Sequence, residues 1–391
     1  MAGQVYRRLL APPKGSFFLF GVRGVGKSTW AREAFPKAHV VDLLDESRYQ
    51  LLAAEPGLLA LELRALARDQ VVVLDEVQRV PALLNEVHRA IEDRAIEDGR
   101  RRFALLGSSA RHLKTAGTNL LAGRATLLTM YPLVPAELGD DFDLTRVLRF
   151  GSVPLVWRAQ DPRATLEAYV NLYVREEIRA EALVRNLPAF LRFLPVAALF
   201  HGQVLNIAGL ARDAAAARAT VEGYVGILQD TLLATVLPAY EARLRVRERR
   251  HPKLYWVDPG IVRAARRDLG PVGAEERGPL LEGWVLTVLR AHNARADLFD
   301  EIAYWSPAEA RQTEVDFLLR RGREHLALEV KAQSRHSTSQ LTGLRAIAEL
   351  PHLVRRVLVY LGDRSLRTTD GIEVWPLGRF LRAVADGTLW P

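Results

Sequence analysis

The residues that decide the fold are Gly21-Val22-Arg23-Gly24-Val25-Gly26-Lys27-Ser28, which fit the phosphate-binding pattern GxxxxGK[ST]. An apolar run at 17–20 precedes them and a helical pattern follows, so strand, glycine loop and helix come in the order that phosphate binding requires. A plain glycine turn between a strand and a helix is the alternative. The pattern predicts a nucleotide site made of Gly21, Gly24, Val25, Gly26, Lys27, Ser28 and Thr29.

Two features predict ATP and Mg²⁺ as the ligands of this loop. In such loops the lysine, here Lys27, reaches the β- and γ-phosphates, while the hydroxyl of Ser28 binds Mg²⁺. About fifty residues later, a second apolar run ends in Asp75-Glu76, and ligands bind at that edge of a parallel sheet. We expect Asp75 to hold Mg²⁺ and Glu76 to polarise the attacking water.

The surrounding sequence alternates short apolar runs with helical stretches, which predicts an α/β domain with a parallel sheet. The runs lie at 17–20, 40–44, 71–74, 103–106 and 127–131, and helical stretches lie at 55–68 and 82–97. Ser108 follows the fourth run and is predicted to orient the water, with helix capping as the alternative. Arg124 lies in a loop and is a candidate arginine finger that would act between subunits of a homo-oligomer.

Composition excludes several classes of protein. The chain has no cysteine, so disulfides and thiolate metal sites are excluded. It has no uninterrupted apolar run of membrane-spanning length, so we expect a cytoplasmic protein without a membrane partner. The formal net charge is +8, which is compatible with nucleic acid but does not by itself predict it.

Taken together, the motifs resemble those of bacterial and archaeal AAA+ ATPases that carry a C-terminal domain of unknown function. The resemblance rests on the glycine loop, Leu74-Asp-Glu-Val-Gln78, Leu121-Ala-Gly-Arg124 and Lys253-Leu-Tyr-Trp-Val-Asp-Pro-Gly260, and it covers nearly the whole chain. It implies a P-loop AAA+ parallel-sheet domain at 1–150 and a helical winged-helix-like segment at 151–270. A PD-(D/E)xK nuclease-like α/β domain would follow at 271–391.

The middle segment contains two short helices with a tight joint. Asn206 is a plausible N-cap for a helix at 207–216, and a second helix follows at 218–229. A helix-turn-helix would present Arg218 and Thr220 to DNA bases. Arg212 and the basic run 243–250 would contact phosphates. Docking of a protein partner is the alternative use of the same geometry.

Two alternating runs near the C-terminus predict a hairpin with its turn at Gly322-Arg323, where glycine suits the first position of a type II′ turn. The resulting register pairs Phe317 with Leu328. It also puts Asp316 opposite Glu329, with the apolar side chains on the other face. Two facing carboxylates repel, and a divalent cation between them would remove that cost.

The nuclease-like resemblance implies roles for these acids. Asp316, Glu329 and Glu282 would hold Mg²⁺, and Lys331 would help activate water for phosphodiester cleavage. Gln340 is a candidate for the glutamine that often follows the lysine strand in this nuclease-like family. A degenerate nuclease fold or a solvated hairpin is the alternative. The sequence thus predicts an ATPase that binds DNA and couples nucleotide state to a metal-dependent, nuclease-like domain, with endonuclease activity left open. The alternative function is a nucleotide-gated protein-interaction switch whose nuclease-like domain is inactive.

Overall fold

The computed structural model describes residues 6–92, 101–109, 121, 123–174, 178, 186–242, 248–308 and 313–391. Two predicted features extend beyond these ranges. They are the end of the helical stretch 82–97 and the first five residues of the basic run 243–250.

A parallel five-stranded sheet occupies the first third of the chain, as the sequence predicts. Its strands are β1 (Ser16–Phe20), β2 (His39–Asp42), β3 (Val72–Asp75), β4 (Phe103–Gly107) and β5 (Ala125–Thr129). Their order across the sheet is β2-β3-β4-β1-β5. The central strands β3, β4 and β1 are buried on both faces. The carboxyl ends of these three neighbours therefore meet at one edge.

Helices cover this sheet, and they include one that the sequence analysis did not predict. The helices are α1 (Lys27–Ala34), α2 (Glu46–Ala54), α3 (Leu58–Ala65) and α4 (Leu83–Glu92). Helix α2 begins at Asp45, whose side chain accepts hydrogen bonds from the N–H groups of Ser47 and Arg48. Leu52 is the buried residue of this helix, so its apolar face is too small to give a helical pattern in the sequence.

The middle segment is helical, with a small antiparallel sheet in the order β6-β8-β7. The helices are α5 (Pro135–Leu138), α6 (Leu144–Phe150), α7 (Pro154–Trp157), α8 (Pro162–Ala168), α9 (Leu187–Leu199), α10 (Ile207–Asp213), α11 (Arg218–Asp230) and α12 (Pro259–Arg266). The strands are β6 (Gln203–Val204), β7 (Ala234–Leu237) and β8 (Lys253–Trp256). Asn206 caps α10 as predicted, because its side chain accepts from the N–H of Gly209 at 3.0 Å.

A buried carboxylate joins two parts of this segment. Asp258 is 1% exposed and caps α12 by accepting from the N–H of Gly260 at 2.9 Å. Its other oxygen accepts from the N–H of Ser152 at 2.7 Å. Burial raises the pKa of Asp258 to about 6 against the pull of these backbone N–H groups. Gly151 and Gly260 allow the close approach, since a Cβ on Gly260 would lie 2.1 Å from the Phe150 carbonyl oxygen.

The C-terminal third forms a mixed sheet in the order β13-β14-β12-β11-β10-β9. Its elements are α13 (Ala274–Ala296), β9 (Glu301–Trp305), β10 (Val315–Arg321), β11 (Glu324–Lys331), α14 (Thr342–Ala346), β12 (Leu353–Tyr360), β13 (Leu366–Arg367), β14 (Glu373–Pro376) and α15 (Leu377–Ala385). Short turns of other helix types lie at Val77–Arg79, Gly139–Asp141, Tyr169–Val174 and Thr338–Leu341.

The register predicted for the β10–β11 hairpin is confirmed, because Phe317 pairs with Leu328 and Leu319 with Leu326. The idea that one face of the hairpin is solvated is wrong. Leu318 and Ala327 are 2% and 0% exposed and pack in a second core cluster.

Val315 joins that second cluster instead of lying on the face of Phe317. The pairing of β10 with β9 shifts register between Val315 and Leu318, which indicates a bulge. The hairpin is buried on both faces because α13 packs against one face and α14 against the other, while β9 and β12 flank it within the sheet. Asp316 and Glu329 therefore lie in the interior.

We expect the substitution Gly151→Ala to destabilise the chain strongly. The residue has φ 74°, and an added Cβ would lie 1.8 Å from Asp258 Oδ1. Gly387→Ala is the matched control, because Gly387 has φ 75° with nothing within 4 Å of an added Cβ. The control should cost about 1–2 kcal/mol of unfolding free energy, from backbone strain alone. Gly151→Ala should cost roughly 1–3 kcal/mol more, from the overlap.

Denaturant unfolding of both variants would measure the difference. Equal losses would show that the junction at Asp258 is loose enough to absorb a methyl group.

Candidate functional site

The glycine loop joins β1 to α1 and takes the backbone shape that its sequence predicts. Gly24 and Gly26 have φ 75° and 97°, which is the left-handed region that side chains disfavour. A Cβ on Gly24 would lie 2.8 Å from the Cβ of Leu155. Glycine is therefore required here both by conformation and by a neighbour from the middle segment.

Lys27 and Ser28 lie in the first turn of α1, where backbone N–H groups and the helix dipole favour anions. The Lys27 side chain is buried, and its Nζ donates to the Gly21 carbonyl oxygen at 2.7 Å. Thr29 is exposed. The lysine is thus folded back over its own loop, within reach of the space above it.

Asp75 ends β3 at the same edge of the sheet and is 3% exposed. Burial raises its pKa, and a hydrogen bond from Ser28 acts in the opposite direction. Its Oδ1 atom is buried without a hydrogen-bond partner among the described residues. A buried carboxylate oxygen without a partner, beside a hydroxyl, fits a Mg²⁺ ligand set completed by phosphate and water oxygens. Sequence reasoning paired Ser28 and Asp75, and the structure brings them together.

Glu76 follows in a strained conformation, with φ 57° and ψ 44°. Its Oε2 accepts hydrogen bonds from the Gln78 amide and, at 3.2 Å, from the Ser108 hydroxyl. The same amide donates to Ser108 Oγ at 2.9 Å. The predicted residues Glu76 and Ser108 are therefore joined, through β4 lying between β1 and β3. Gln78 was not singled out from the sequence, although it ends the motif 74–78.

A cavity of about 440 Å³ opens above the loop and is lined by the loop itself and by Glu76. Three arginines that sequence reasoning missed also line it, namely Arg8, Arg23 and Arg158. Arg8 is anchored, since its guanidinium donates to the Val25 carbonyl oxygen at 3.0 Å. Clustered cations around an anion-binding loop suit a polyphosphate. Arg8 and Arg158 give no local sequence signal because they lie far from the loop in the chain, whereas Arg23 lies within the loop.

The middle segment touches the loop directly. The N–H of Leu155 donates to the Gly24 carbonyl oxygen at 3.2 Å. The hydroxyl of Tyr169 donates to the Arg23 carbonyl oxygen at 3.1 Å. Helix α7 and the following turn therefore form one wall of the cavity.

Arg124 does not line this cavity. Its Nε donates to Glu92 Oε1 at 2.8 Å, so it is paired with the end of α4.

The candidate DNA contacts are exposed, and two of them are paired locally. Arg212 Nε lies 3.1 Å from Asp213 Oδ1, and Arg218 Nε lies 3.0 Å from Glu222 Oε1. Thr220 is exposed in the first turn of α11.

The three acids of the C-terminal domain that the sequence analysis named lie close together. Asp316 and Glu329 are 1% and 4% exposed, and Glu282 reaches them from α13. Burial, followed by the charge of Asp316, raises the pKa of Glu329 well above its usual value and that of Glu282 to about 7. Lys331 pairs with Glu329. Gln340 lies apart, because its Oε1 caps the Ser337 N–H at 2.9 Å.

A lysine that the sequence analysis did not assign lies among these acids. Lys253 Nζ is 3.1 Å from Glu282 Oε1, 3.2 Å from Glu314 Oε2 and 3.8 Å from Asp316 Oδ1. Burial would lower its pKa, but the surrounding negative charges outweigh burial and raise it. The assignment of Glu282, Asp316 and Glu329 as metal ligands stays a prediction. Within the described ranges, no group of three or more His, Cys, Asp or Glu side chains is arranged to hold a metal ion.

Three family profiles match successive parts of the chain. Residues 14–139 match the AAA domain, 141–271 match a domain of unknown function (DUF8612), and 277–380 match another (DUF4143). Over 372 residues the chain is 29% identical to the uncharacterized proteins Rv2008c of Mycobacterium tuberculosis and Mb2031c of Mycobacterium bovis. The match spans 93% of this chain and 80% of each relative.

Solved structures match the chain at low similarity. The Orc2 protein of Aeropyrum pernix, in ADPNP–ADP complexes, is 13% identical with a TM-score of 0.35, over 66% of this chain and 89% of that one. A RuvB variant of Thermotoga maritima is 19% identical with a TM-score of 0.29, over 57% of this chain and 82% of that one. No helix in the described part of the chain is long and apolar enough to span a membrane.

The family profile at residues 14–139 agrees with the parallel sheet and with the glycine loop between β1 and α1. Residues 14–139 thus combine the sequence profile of an AAA domain with the parallel sheet and glycine loop of a P-loop fold.

Proposed function

We propose that the chain binds MgATP in the cavity above the glycine loop, hydrolyses it, and uses nucleotide occupancy to reposition its middle segment. The observation that carries the proposal is the meeting of three groups at one sheet edge. Lys27, the Ser28–Asp75 pair and the Glu76–Gln78–Ser108 network all border that edge, and Lys27, Ser28 and Glu76 line the cavity.

The side chains divide the chemistry among them. Lys27 exchanges its bond to the Gly21 carbonyl for the β- and γ-phosphates. Ser28 and Asp75 would hold Mg²⁺, which supplies charge neutralisation at the phosphates. Glu76 accepts a proton from the attacking water, and Gln78 and Ser108 fix the direction of its carboxylate. When the attacking water binds, the hydrogen bonds from Gln78 and Ser108 to Glu76 must lengthen, or the Glu76 carboxylate must accept from the water as well.

Contacts between the loop and the middle segment support a switch. Leu155 and Tyr169 bond to the carbonyl groups of Gly24 and Arg23, and Arg158 lines the same cavity. A phosphate bound there would therefore contact both the loop and the segment that follows it. We propose that this segment, and not the C-terminal acids, is the direct sensor of the nucleotide.

DNA binding is a second candidate function, supported by the order of elements in the middle segment. Helix α9, strand β6, helices α10 and α11, and strands β7 and β8 follow the order of a winged helix. In that fold α11 would be the recognition helix, which would place Arg218 and Thr220 toward DNA. Arg212 and Arg218 must each leave an acidic partner to contact DNA, so their contribution to binding would be modest. Docking of a protein on the same helices is the competing use.

We keep Arg124 as a proposed arginine finger of a homo-oligomer. It is 34% exposed and would have to leave Glu92 to reach a neighbouring subunit's phosphate. A metal-dependent nuclease is less well supported, because Lys253 lies among the acids that would bind the metal. The proposed function is accordingly an ATP-driven switch.

Two substitutions test the ATPase assignment. Lys27→Ala should abolish binding of a fluorescent ATP analogue, because the phosphates lose the lysine of their loop. Glu76→Gln should keep binding but lower phosphate release by roughly 10²–10⁴-fold, since the water loses its base. Glu33→Gln, at the rim of the same cavity, is the charge-matched control and should turn over normally. Normal turnover in Glu76→Gln would refute the assignment of the base.

Arg158 tests whether the middle segment senses the phosphates. Arg158→Ala should weaken ATP affinity by roughly tenfold or more, the cost of a charge-assisted hydrogen bond. Arg163→Ala is the control, because Arg163 lies five residues on and is paired with Glu167 at 3.1 Å. Titration of the fluorescent analogue measures both. Equal affinity in the two variants would mean that this wall of the cavity does not contact the nucleotide.

DNA binding is tested by its dependence on salt. If helices α10 and α11 contact DNA, Arg212→Ala should remove a phosphate contact, weaken binding to a short duplex and reduce the slope of log affinity against log salt by about 1. Arg345→Ala, which removes a similarly paired arginine from the C-terminal domain, should leave both unchanged. Fluorescence anisotropy at several salt concentrations gives the slopes. Identical slopes for both variants would favour protein docking on these helices.

A further inference from the structure

The C-terminal acid cluster contains a cation that comes from another part of the chain. Lys253 is the first residue of β8, in the middle segment, and its side chain is 2% exposed. Its Nζ lies 3.1 Å from Glu282 of α13 and 3.2 Å from Glu314, which precedes β10. The distance from Lys253 Nζ to Asp316 Oδ1 is 3.8 Å. Three carboxylates from two elements of the C-terminal domain thus surround one amine.

The geometry around this amine is that of a bound cation. An ammonium donates to oxygens at about 2.7–3.2 Å, which suits the two nearer acids. The Tyr304 ring centroid lies 5.3 Å from Nζ, within reach of a cation–π contact. Tyr255 lies two residues along β8, and its hydroxyl donates a hydrogen bond to Glu282 Oε1. The same oxygen also accepts a hydrogen bond from Lys253 Nζ. The acid is therefore held by two side chains of the same strand.

A divalent metal would need the same oxygens. Mg²⁺ binds oxygen at about 2.0–2.1 Å and requires carboxylates free to converge on it. Here Glu282 is engaged by Lys253 and Tyr255, and Glu329 is engaged by Lys331. The buried oxygens Asp316 Oδ1 and Glu329 Oε2 accept no hydrogen bond among the described residues, so the cluster keeps some capacity for a further cation. With Lys253 in place, Glu282 is not free to converge on the metal ion that the nuclease-like resemblance implies.

We propose that Lys253 is a tethered counterion, which takes the position of a divalent cation in this cluster and docks the middle segment onto the C-terminal domain. The C-terminal domain is then a receptor for β8, and its acids serve as a docking site. Withdrawal of Lys253 would expose carboxylates able to bind a metal ion.

The test is metal-dependent stability of the full chain without nucleotide. All proteins carry Ser28→Ala, so that the metal site of the glycine loop does not contribute. Thermal unfolding is followed with and without Mn²⁺. The Lys253→Met substitution keeps much of the side-chain volume and removes the charge. Lys37→Met, at an exposed lysine, is the control.

We expect Lys253→Met to lower Tm by roughly 5 °C or more without metal, because buried carboxylates lose their partner. Mn²⁺ should then restore several degrees to Lys253→Met and leave the parent and Lys37→Met unchanged. An equal response to Mn²⁺ in parent and Lys253→Met would overturn the proposal. So would the absence of any response in Lys253→Met.

A second variant keeps the proposal testable if Lys253→Met does not fold. Adding Glu282→Gln to Lys253→Met removes one of the unpaired charges and keeps an acceptor for Tyr255. If Lys253 acts as a counterion, the double variant should fold and melt above the single one, by the logic of a double-mutant cycle. If the double variant is no more stable than the single one, Lys253 acts through packing and the proposal fails.

Discussion

The carboxylate of Asp258 is the interaction on which the arrangement of the middle segment depends, because it joins the start of that segment to helix α12. It accepts from the backbone N–H groups of Ser152 and Gly260, and it begins α12. Because it is almost fully buried, water cannot replace a lost partner, and the surrounding backbone is held in one geometry. The small residues at 151 and 260 are a consequence of this approach, since side chains there would collide with the acid or with the Phe150 carbonyl group.

Asp258 lies between the two candidate sites of the molecule, the acid cluster and the nucleotide cavity. Five residues earlier, Lys253 enters the acid cluster of the C-terminal domain. On the other side of the hydrogen bond, Ser152 is followed within three residues by Leu155, which contacts Gly24 of the glycine loop. The nucleotide cavity and the acid cluster are thus joined by one short path, which runs along the chain and across the hydrogen bond between Ser152 and Asp258. Contiguity alone does not establish coupling, which requires an element with two states that both sites favour differently.

The sequence predicted features whose partners are close in the chain or fixed by a regular pattern. The glycine loop, the acids after β3 and the β10–β11 register all follow from local spacing. Gln78, Arg158 and Lys253 were missed because their roles depend on which distant segments pack together. The hairpin shows the same limit, since its period of two gave the pairing of Phe317 and Leu328 but not the burial of its other face. That burial depends on α14, which packs against this face and which the alternation of one hairpin does not encode.

The way a nucleotide would act follows from how tightly the loop is packed. Gly24 lies so close to Leu155 that the loop backbone cannot move toward α7 without displacing it. Lys27 can exchange the Gly21 carbonyl for phosphate by side-chain rotation alone, so the loop is ready for its ligand without rearrangement. The response to the nucleotide should therefore come from Arg158, whose helix-end position on the far wall allows it to follow the phosphate charge. A shift of that wall acts on residues 151–157 and hence on the Asp258 junction. Because Asp258 is buried in close-packed surroundings, we expect the junction to move as one unit and to carry the shift to β8, instead of deforming locally.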